Sequence, residues 1–244
     1  MSYGDLTHEQ ARHYRNQGYY RLIDAFDKDE TAEIRAFINE EADKQRSLGK
    51  ALAGPALKMY GLYDRNPALM HKVVSNKVLL GALESLVGPN IVFAKNRHNH
   101  ATINNHVGEP AEGLHRDILQ PTRGLVTAAL YLQDSTIENG ATRIIPGSHE
   151  LPYVGVPQVN GGGTWMAEHE EYQGLEDQAM SVTMPEGSVL LFNGLAFHGV
   201  GRNSSGEERM SVTLGFRSSD ELDAKPDQER QLLVRGEHIY RGND

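Results

Sequence analysis

"PEGSVLLFNGLAFHGVGRNSS", residues 185–205, decides how the rest of the chain is read. Pro185, Glu186 and Gly187 are turn chemistry, and 188–192 is an apolar run of strand length. Glycines at 187, 194, 199 and 201 break any helical period across the stretch. His198 closes a glycine-bounded segment, and Asn203, Ser204 and Ser205 turn the chain again. Short strands punctuated by turns at this spacing belong to a sandwich or barrel. A histidine beside such a turn is either a structural residue or a metal ligand, and the stretch alone leaves both open.

The next strand, "RMSVTLGF" (209–216), alternates cleanly. Arg209, Ser211 and Thr213 share one face, Met210, Val212 and Leu214 the other. The apolar face belongs in a core, which turns the polar face toward a barrel interior. A buried guanidinium needs an anion. Arg209 therefore either pairs with an acid of its own chain, Glu207 or Glu208, or waits for a ligand carboxylate, which its planar fork matches bidentately.

Outward from there the β texture reaches back to Pro89 through "IVFAKNRHNHATI", "LVTAALYLQ", "ATRIIPGSH" and "SVTMPEGSVLLF". Before Pro89 the chain is helical. Thr7 with Gln10 and Asp27 with Glu30 form capping boxes, Gly18 is a stop, and Ile34, Phe37, Ile38 and Ala42 recur at helical spacing. "YYRLI" (19–23) is strand-like, and 75–88 reads as a further helix. The expected fold is mainly β: a double-stranded β-helix (jelly roll, cupin-like) with buttressing N-terminal α-helices. One domain is expected over 1–244, helical to about 88, jelly roll from about 89 to 220, with a C-terminal tail over 221–244. Residues 155–180, with three consecutive glycines, read as a long loop of the kind that forms lids.

Composition narrows the function. The 244 residues carry a formal net charge of −9, which disfavours non-specific nucleic-acid binding and anionic membrane surfaces. Zero cysteines exclude disulfides, thiolate metal sites and a cysteine nucleophile. No apolar run is long enough for a membrane span, and the start lacks a basic-then-apolar leader pattern. A cytoplasmic protein acting on a small molecule is expected, and its oligomeric state is not readable.

"GLHRDILQP" (113–121) supplies the partner for His198. In extended chain, residues two apart point to the same side, so His115 and Asp117 present an imidazole and a carboxylate together while Arg116 points away. Two histidines and one carboxylate on one face of a metal leave positions open for ligands.

With these motifs the chain resembles the phytanoyl-CoA dioxygenase family of iron(II)/2-oxoglutarate oxygenases over nearly its whole length. "HEQARHYRNQGYYRL" is similar to the family's N-terminal helix and strand, "LLGALESLVGPNIVF" to its helix leading into the barrel, and "GLHRDI" to its His-x-Asp motif. "LYLQDSTIENGATRIIPGSHE" resembles its Asn-Gly turn and Pro-Gly-Ser-His segment. "EGSVLLFNGLAFHGVGRNSSGEERMS" resembles its distal histidine, Asn-x-Ser turn and arginine. The resemblance implies that His115, Asp117 and His198 hold Fe(II) as the catalytic centre. It implies that Arg209 binds the far carboxylate of 2-oxoglutarate as cosubstrate, and that O2 is consumed. Arg116 replaces the family's usual Gln, at a position turned from the metal. Asp117 stands where halogenating relatives have Gly or Ala, which argues against halogenation. His149 belongs to a structural turn, and His8, His13 and His71 are expected on the surface.

Parity proposes further lining residues. Ser211, Tyr131 and Thr102 are candidates for the cosubstrate. His98 and His100, on one side of "IVFAKNRHNHAT" with Asn96, are candidates for the substrate, as are Trp165 and Tyr172 in the loop. Lys58, Lys95 and Arg97 either meet an anionic group or are surface charges, and the surface is the expected place for each. The expected activity is oxidation of a small molecule, hydroxylation first, with epimerisation, desaturation or ring closure reachable from the same site. Secondary-metabolite tailoring is a suitable setting, and nothing requires a CoA thioester. The alternatives are a non-catalytic jelly-roll protein that binds a small molecule or metal, and a cupin-like metal-dependent isomerase or hydrolase.

Overall fold

The computed structural model describes residues 4–47, 56–105, 110–118, 124–152, 164–166, 170–172, 174–219 and 229–237. Two antiparallel sheets face each other. The larger runs β1 (Tyr19–Leu22), β10 (Val189–Asn193), β6 (Val126–Tyr131), β12 (Arg209–Ser218). Beyond β12 the edge forks. Its first half pairs with β4 (His100–Asn104), which carries β2 (Ala56–Tyr60) outside it; its last residues pair with β3 (Ile91–Ala94), which carries β13 (Gln231–Arg235). Gly215 sits at the fork, where a Cβ would lie 2.7 Å from the Arg97 carbonyl oxygen of the turn between β3 and β4. The smaller sheet runs β8 (Thr164–Trp165), β5 (Pro110–Arg116), β11 (His198–Arg202), β7 (Thr142–Ile144), β9 (Met180–Val182). This is the jelly roll.

Strand parity distributes the core. Val126, Ala128 and Leu130 of β6 and Met210, Val212, Leu214 and Phe216 of β12 face outward, onto helices. There they meet Ile34, Ile38 and Ala42 of α2 (Lys28–Ser47), Val73 and Val74 of α4 (Pro67–Val74), and Leu79 and Leu83 of α5 (Lys77–Val87). Each fully buried aliphatic side chain contributes about 1.5–3 kcal/mol. The other parity faces the smaller sheet: Ala129, Tyr131, Leu190 and Phe192 pack on Ile144, Val182, Met184 and Ala196.

The capping boxes form as the sequence suggests. Thr7 opens α1 (His8–Gln17) and Gly18 ends it in the left-handed region; Asp27 and Glu30 exchange bonds at the start of α2. His149 Nε2 donates to the Arg15 carbonyl (2.8 Å), so the Pro-Gly-Ser-His turn ties α1 to the barrel. His8, His13 and His71 are exposed. The Pro185–Gly187 turn docks through the Gly187 carbonyl, which accepts from Phe26 N–H at 2.9 Å.

Three expectations change. Residues 221–244 are more than a tail, because 231–235 form β13 and extend the large sheet. The helical part to residue 88 contributes, besides the expected strand β1, a second strand β2 and two short helices at 62–65 and 67–74. Of the loop 155–180, residues 155–163, 167–169 and 173 lie outside the described residues. The described remainder includes β8, which is strand-paired with β5, and two 3-10 turns. Among the described residues no helix is long and apolar enough to cross a membrane.

Candidate active site

His115 is the next-to-last residue of β5 and His198 begins β11, and the two are direct partners across the strand pair. Their rings lie 4.5 Å apart, centroid to centroid. A β-bulge follows: His198 pairs with His115, but Val200 pairs with Glu112, so β5 spends one residue more than β11. Bulges re-aim side chains beside active sites. Here the bulged Gly113 turns its carbonyl to His115 Nδ1 at 2.9 Å. His198 Nδ1 meets the Ala196 carbonyl at 3.0 Å in the same way. A carbonyl only accepts, so both Nδ1 atoms carry the proton and both Nε2 atoms present lone pairs.

Asp117 follows β5, held by its N–H donating to the Gly194 carbonyl (2.8 Å) on the loop that leads into His198. Its Oδ1 is 3.7 Å from His115 Nε2 and its Oδ2 is 3.6 Å from His198 Nε2. Thr127 Oγ1 donates to Oδ2 at 2.9 Å, and His98 Nε2 lies 3.0 Å from the same oxygen. Burial works to raise the Asp117 carboxyl, but when the neighbouring rings are protonated, His98, His198 and His115 outweigh it and hold it well below the ordinary carboxylate range. Two imidazole lone pairs aimed at a carboxylate repel unless a cation stands among them. The three donor atoms lie within 4.8 Å of one another, and all three residues are buried. The donor set, two neutral nitrogens and one anionic oxygen on one face, suits Fe(II) with open positions.

A cavity of ≈ 470 Å³ opens from these residues between the sheets. Arg209 lines it, 1% exposed, so the question of its partner has an answer. Neither Glu207 nor Glu208 reaches it; Glu208 pairs instead with Arg46 at the surface, at 3.2 Å. Arg209 Nε and Nη1 have no hydrogen-bond partner among the described residues. The Tyr131 ring lies 5.5 Å away. Burial lowers the pKa of the guanidinium from its ordinary value, and Tyr131 opposes that fall. A cation taken from water and left with open donors in a cavity fits an anionic ligand.

The other expected residues fall in rows. Ser211 is the strand partner of Thr102 on one side and Tyr131 on the other. Thr102 and Ser211 line the cavity beside Arg209. Tyr131 is fully buried behind them, its hydroxyl 2.6 Å from Thr142 Oγ1 across on β7. His98 and His100 also line the cavity, though not through one continuous strand. Residues 95–98 form a turn, and His98 has a left-handed φ of 52°, so the two-residue period is reset there. Tyr172 is not brought to the cavity. It packs on the back of the smaller sheet against Phe197 (4.7 Å between centroids), and its hydroxyl accepts from Arg116 at 3.3 Å. That follows from Arg116 pointing away from the metal: the outward side chain needed cover. The side chain of Trp165 lies outside the described residues. Sequence reasoning missed Thr127 as the support of Asp117, although it sat on the inward parity face of its strand. Lys58, Lys95 and Arg97, expected on the surface, are exposed or half-buried and also line the cavity.

The family model for phytanoyl-CoA dioxygenase (PhyH) matches residues 14–211. The chain belongs to that family. Dioxygenase ALT11 of Alternaria alternata is 35% identical over 125 residues, 47% of this chain and 36% of that protein. A probable alpha-ketoglutarate-dependent hypophosphite dioxygenase of Stutzerimonas stutzeri is 25% identical over 233 residues, covering 87% of this chain and 79% of that one. The chain spans about a third to a half of the length of several curated relatives. In fold it is similar to the epimerase SnoN, solved with Fe3+, alpha-ketoglutarate and nogalamycin RO. The TM-score is 0.69 at 18% identity, over 93% of this chain and 98% of that one.

Proposed function

We propose that this member of the phytanoyl-CoA dioxygenase family is a non-haem Fe(II)/2-oxoglutarate-dependent oxygenase that oxidises a small molecule, by hydroxylation in the first instance. The observation that carries the reading is Arg209, buried with open donors in the same cavity as the His115, Asp117 and His198 triad. A binder without turnover has no use for both a metal face with open positions and a carboxylate anchor beside it. His115, Asp117 and His198 would hold the iron. Arg209 would take the far carboxylate of 2-oxoglutarate, flanked by Ser211 and Thr102. Bound there, Fe(II) with 2-oxoglutarate and O2 supplies the oxidising power, and the oxo acid leaves as succinate and carbon dioxide. The protein's own part is positional. Thr127 and the two backbone carbonyls fix the ligands, and the walls of the cavity orient the substrate and keep water from the reacting centre.

A cytoplasmic setting accords with the cysteine-free, acidic composition. Tailoring of a secondary metabolite accords with the kind of chemistry seen in SnoN, whose solved complex holds nogalamycin RO. The test is anaerobic loading with Fe(II) and 2-oxoglutarate, exposure to O2 with a panel of small molecules, and measurement of succinate and product mass. Oxygen-dependent succinate formation is expected. A gain of one oxygen marks hydroxylation, a loss of two hydrogens desaturation or ring closure, and no mass change epimerisation. Metal binding without any succinate would return the protein to the class of binders or isomerases.

A further inference from the structure

The oxygenase reading uses His115, Asp117, His198 and Arg209, and leaves one wall of the same cavity without a role. That wall is the turn 95–99 between β3 and β4. All five of its residues, Lys95, Asn96, Arg97, His98 and Asn99, line the cavity, and Lys58 of β2 stands beside them. The chain as a whole is acidic, with 33 Asp and Glu against 24 Lys and Arg. The cavity inverts that balance. Lys58, Lys95, Arg97 and Arg209 line it, and among its described lining residues Asp117 is the one carboxylate, already committed to the metal. A concave surface of one sign concentrates ligands of the other.

Charge at a rim is by itself a solvated feature, and Arg97 is exposed. Asn99 is not: it is 4% exposed. Its Oδ1 accepts from the Tyr63 N–H at 3.0 Å, which fixes the amide so that Nδ2 is left over. That Nδ2 is buried and has no acceptor among the described residues, and Asn99 is one of the residues that line the cavity. Neither Lys95 nor Arg97 meets a carboxylate among the described residues; Lys95 Nζ lies 5.6 Å from the Tyr63 ring centroid. The wall thus offers two cations and a buried donor without an acceptor. His98, held in a left-handed backbone conformation beside Asp117, joins this wall to the metal site. Residues kept in such sparsely populated conformations cluster at functional sites.

We propose that the substrate is a small anion, whose carboxylate or phosphoryl-type oxygens sit on Lys95, Arg97 and Asn99 Nδ2 while the bond to be oxidised faces the metal. This rests on the oxygenase reading. The size follows from the cavity: ≈ 470 Å³ is near the lower end for ligand sites, and it must hold the oxo acid as well.

The experiment is an anaerobic titration of the Fe(II)–2-oxoglutarate complex, read by calorimetry. Propionate and methylphosphonate serve as the two oxyanion probes and propionamide as the neutral control. At least one oxyanion should bind without displacing 2-oxoglutarate, and propionamide should bind at least tenfold more weakly. Which oxyanion binds tighter distinguishes carboxylate from phosphoryl chemistry. Asn99 also supports the backbone, so the deciding variants are Lys95→Gln and Arg97→Gln, on less buried side chains. Each should weaken the oxyanion by roughly tenfold, the scale of one charged hydrogen bond. Equal binding of propionamide, oxyanion affinity untouched in the Lys95→Gln/Arg97→Gln double variant, or oxyanions that only displace 2-oxoglutarate would each overturn the anion proposal alone. If neither Fe(II) nor 2-oxoglutarate binds the wild type, the oxygenase reading falls and the anion proposal falls with it.

Discussion

Two arginines, Arg116 and Arg209, are buried to the same degree, each 1% exposed, on opposite sides of the barrel wall. Arg116 lies on the back of the smaller sheet. Its Nη2 donates to the Ser148 and Leu151 carbonyls at 2.8 and 3.2 Å, and its guanidinium lies 4.4 Å from the Phe197 ring centroid. Arg209 lies inside, lining the cavity, with Nε and Nη1 buried and without a hydrogen-bond partner among the described residues. Burial alone does not distinguish a structural cation from a binding one. What distinguishes them is whether the fold supplies acceptors. Arg116 is part of the packing, while Arg209 faces the cavity with two donors for which the described residues supply no acceptor.

The sharpest way to break this comparison is to remove Arg209. Losing one partner of a buried charge pair costs about 3–5 kcal/mol, or roughly a hundred- to several-thousand-fold in affinity. Arg209→Ala should weaken 2-oxoglutarate by that factor while Fe(II) binding changes little, and Arg209→Lys should recover only part. Paired titrations of oxo acid and metal decide it; unchanged oxo-acid affinity would make Arg209 a structural residue. Arg209→Met should also leave the ligand-free melting temperature unchanged or raised, because an open buried charge is exchanged for an apolar chain.

Arg116→Met should do the opposite. Two carbonyls lose their donor, at about 1–3 kcal/mol each, so a loss of about 3 kcal/mol is expected. For a chain of this length that is roughly 6–12 °C in melting temperature. Scanning calorimetry reads it, and an unshifted transition would put both arginines in one class.

A smaller effect is expected at Thr127. Thr127→Val keeps the shape and removes the bond to Asp117 Oδ2. Supports of this kind are worth roughly 10- to 100-fold in metal affinity. Competition with a chelator measures it, and a variant holding metal as tightly as the wild type would show that the two imidazoles suffice to orient the site.

The smallest effect belongs to a pair in water. Glu41 accepts from Lys44 and Arg65, each at 2.8 Å, on the surface of α2, and these bonds lower its pKa. A depressed folded-state pKa means stabilisation present above the unfolded value and lost as pH falls through the folded one. Glu41→Gln should therefore cost no more than about 0.2–1 kcal/mol near neutrality, and less as the solution is acidified below pH ~4. Urea melts at two pH values would reveal it. A cost that grew on acidification would contradict the sign.

The parts legible in the sequence were those set by local rules. Capping boxes placed α1 and α2, and two-residue alternation put Arg209, Ser211 and Thr213 on the inner face of β12. The His-x-Asp spacing put His115 and Asp117 on one side of the chain. What was not legible depends on distant partners. Residues 56–60 and 231–235 carry little strand signal of their own and become β2 and β13 because β4 and β3 offer open edges. Parity also fails wherever the backbone leaves the extended region, as at His98, and it cannot say which of two buried arginines the fold will satisfy. Tyr172 went to Arg116 because that guanidinium, outside the barrel, required cover.

The fork on β12 has a consequence for descent. His115 and His198, which would hold the iron, stand on β5 and β11 in the smaller sheet, where one slip of register would separate them. The turn 95–99 hangs in the fork of the larger sheet, resting on Gly215. Lengthening, shortening or recharging that turn reshapes the cavity without touching the register of β5 and β11. If the oxygenase reading holds, lineages carrying this barrel could change what they act on through edits to one short connection, with the triad inherited intact.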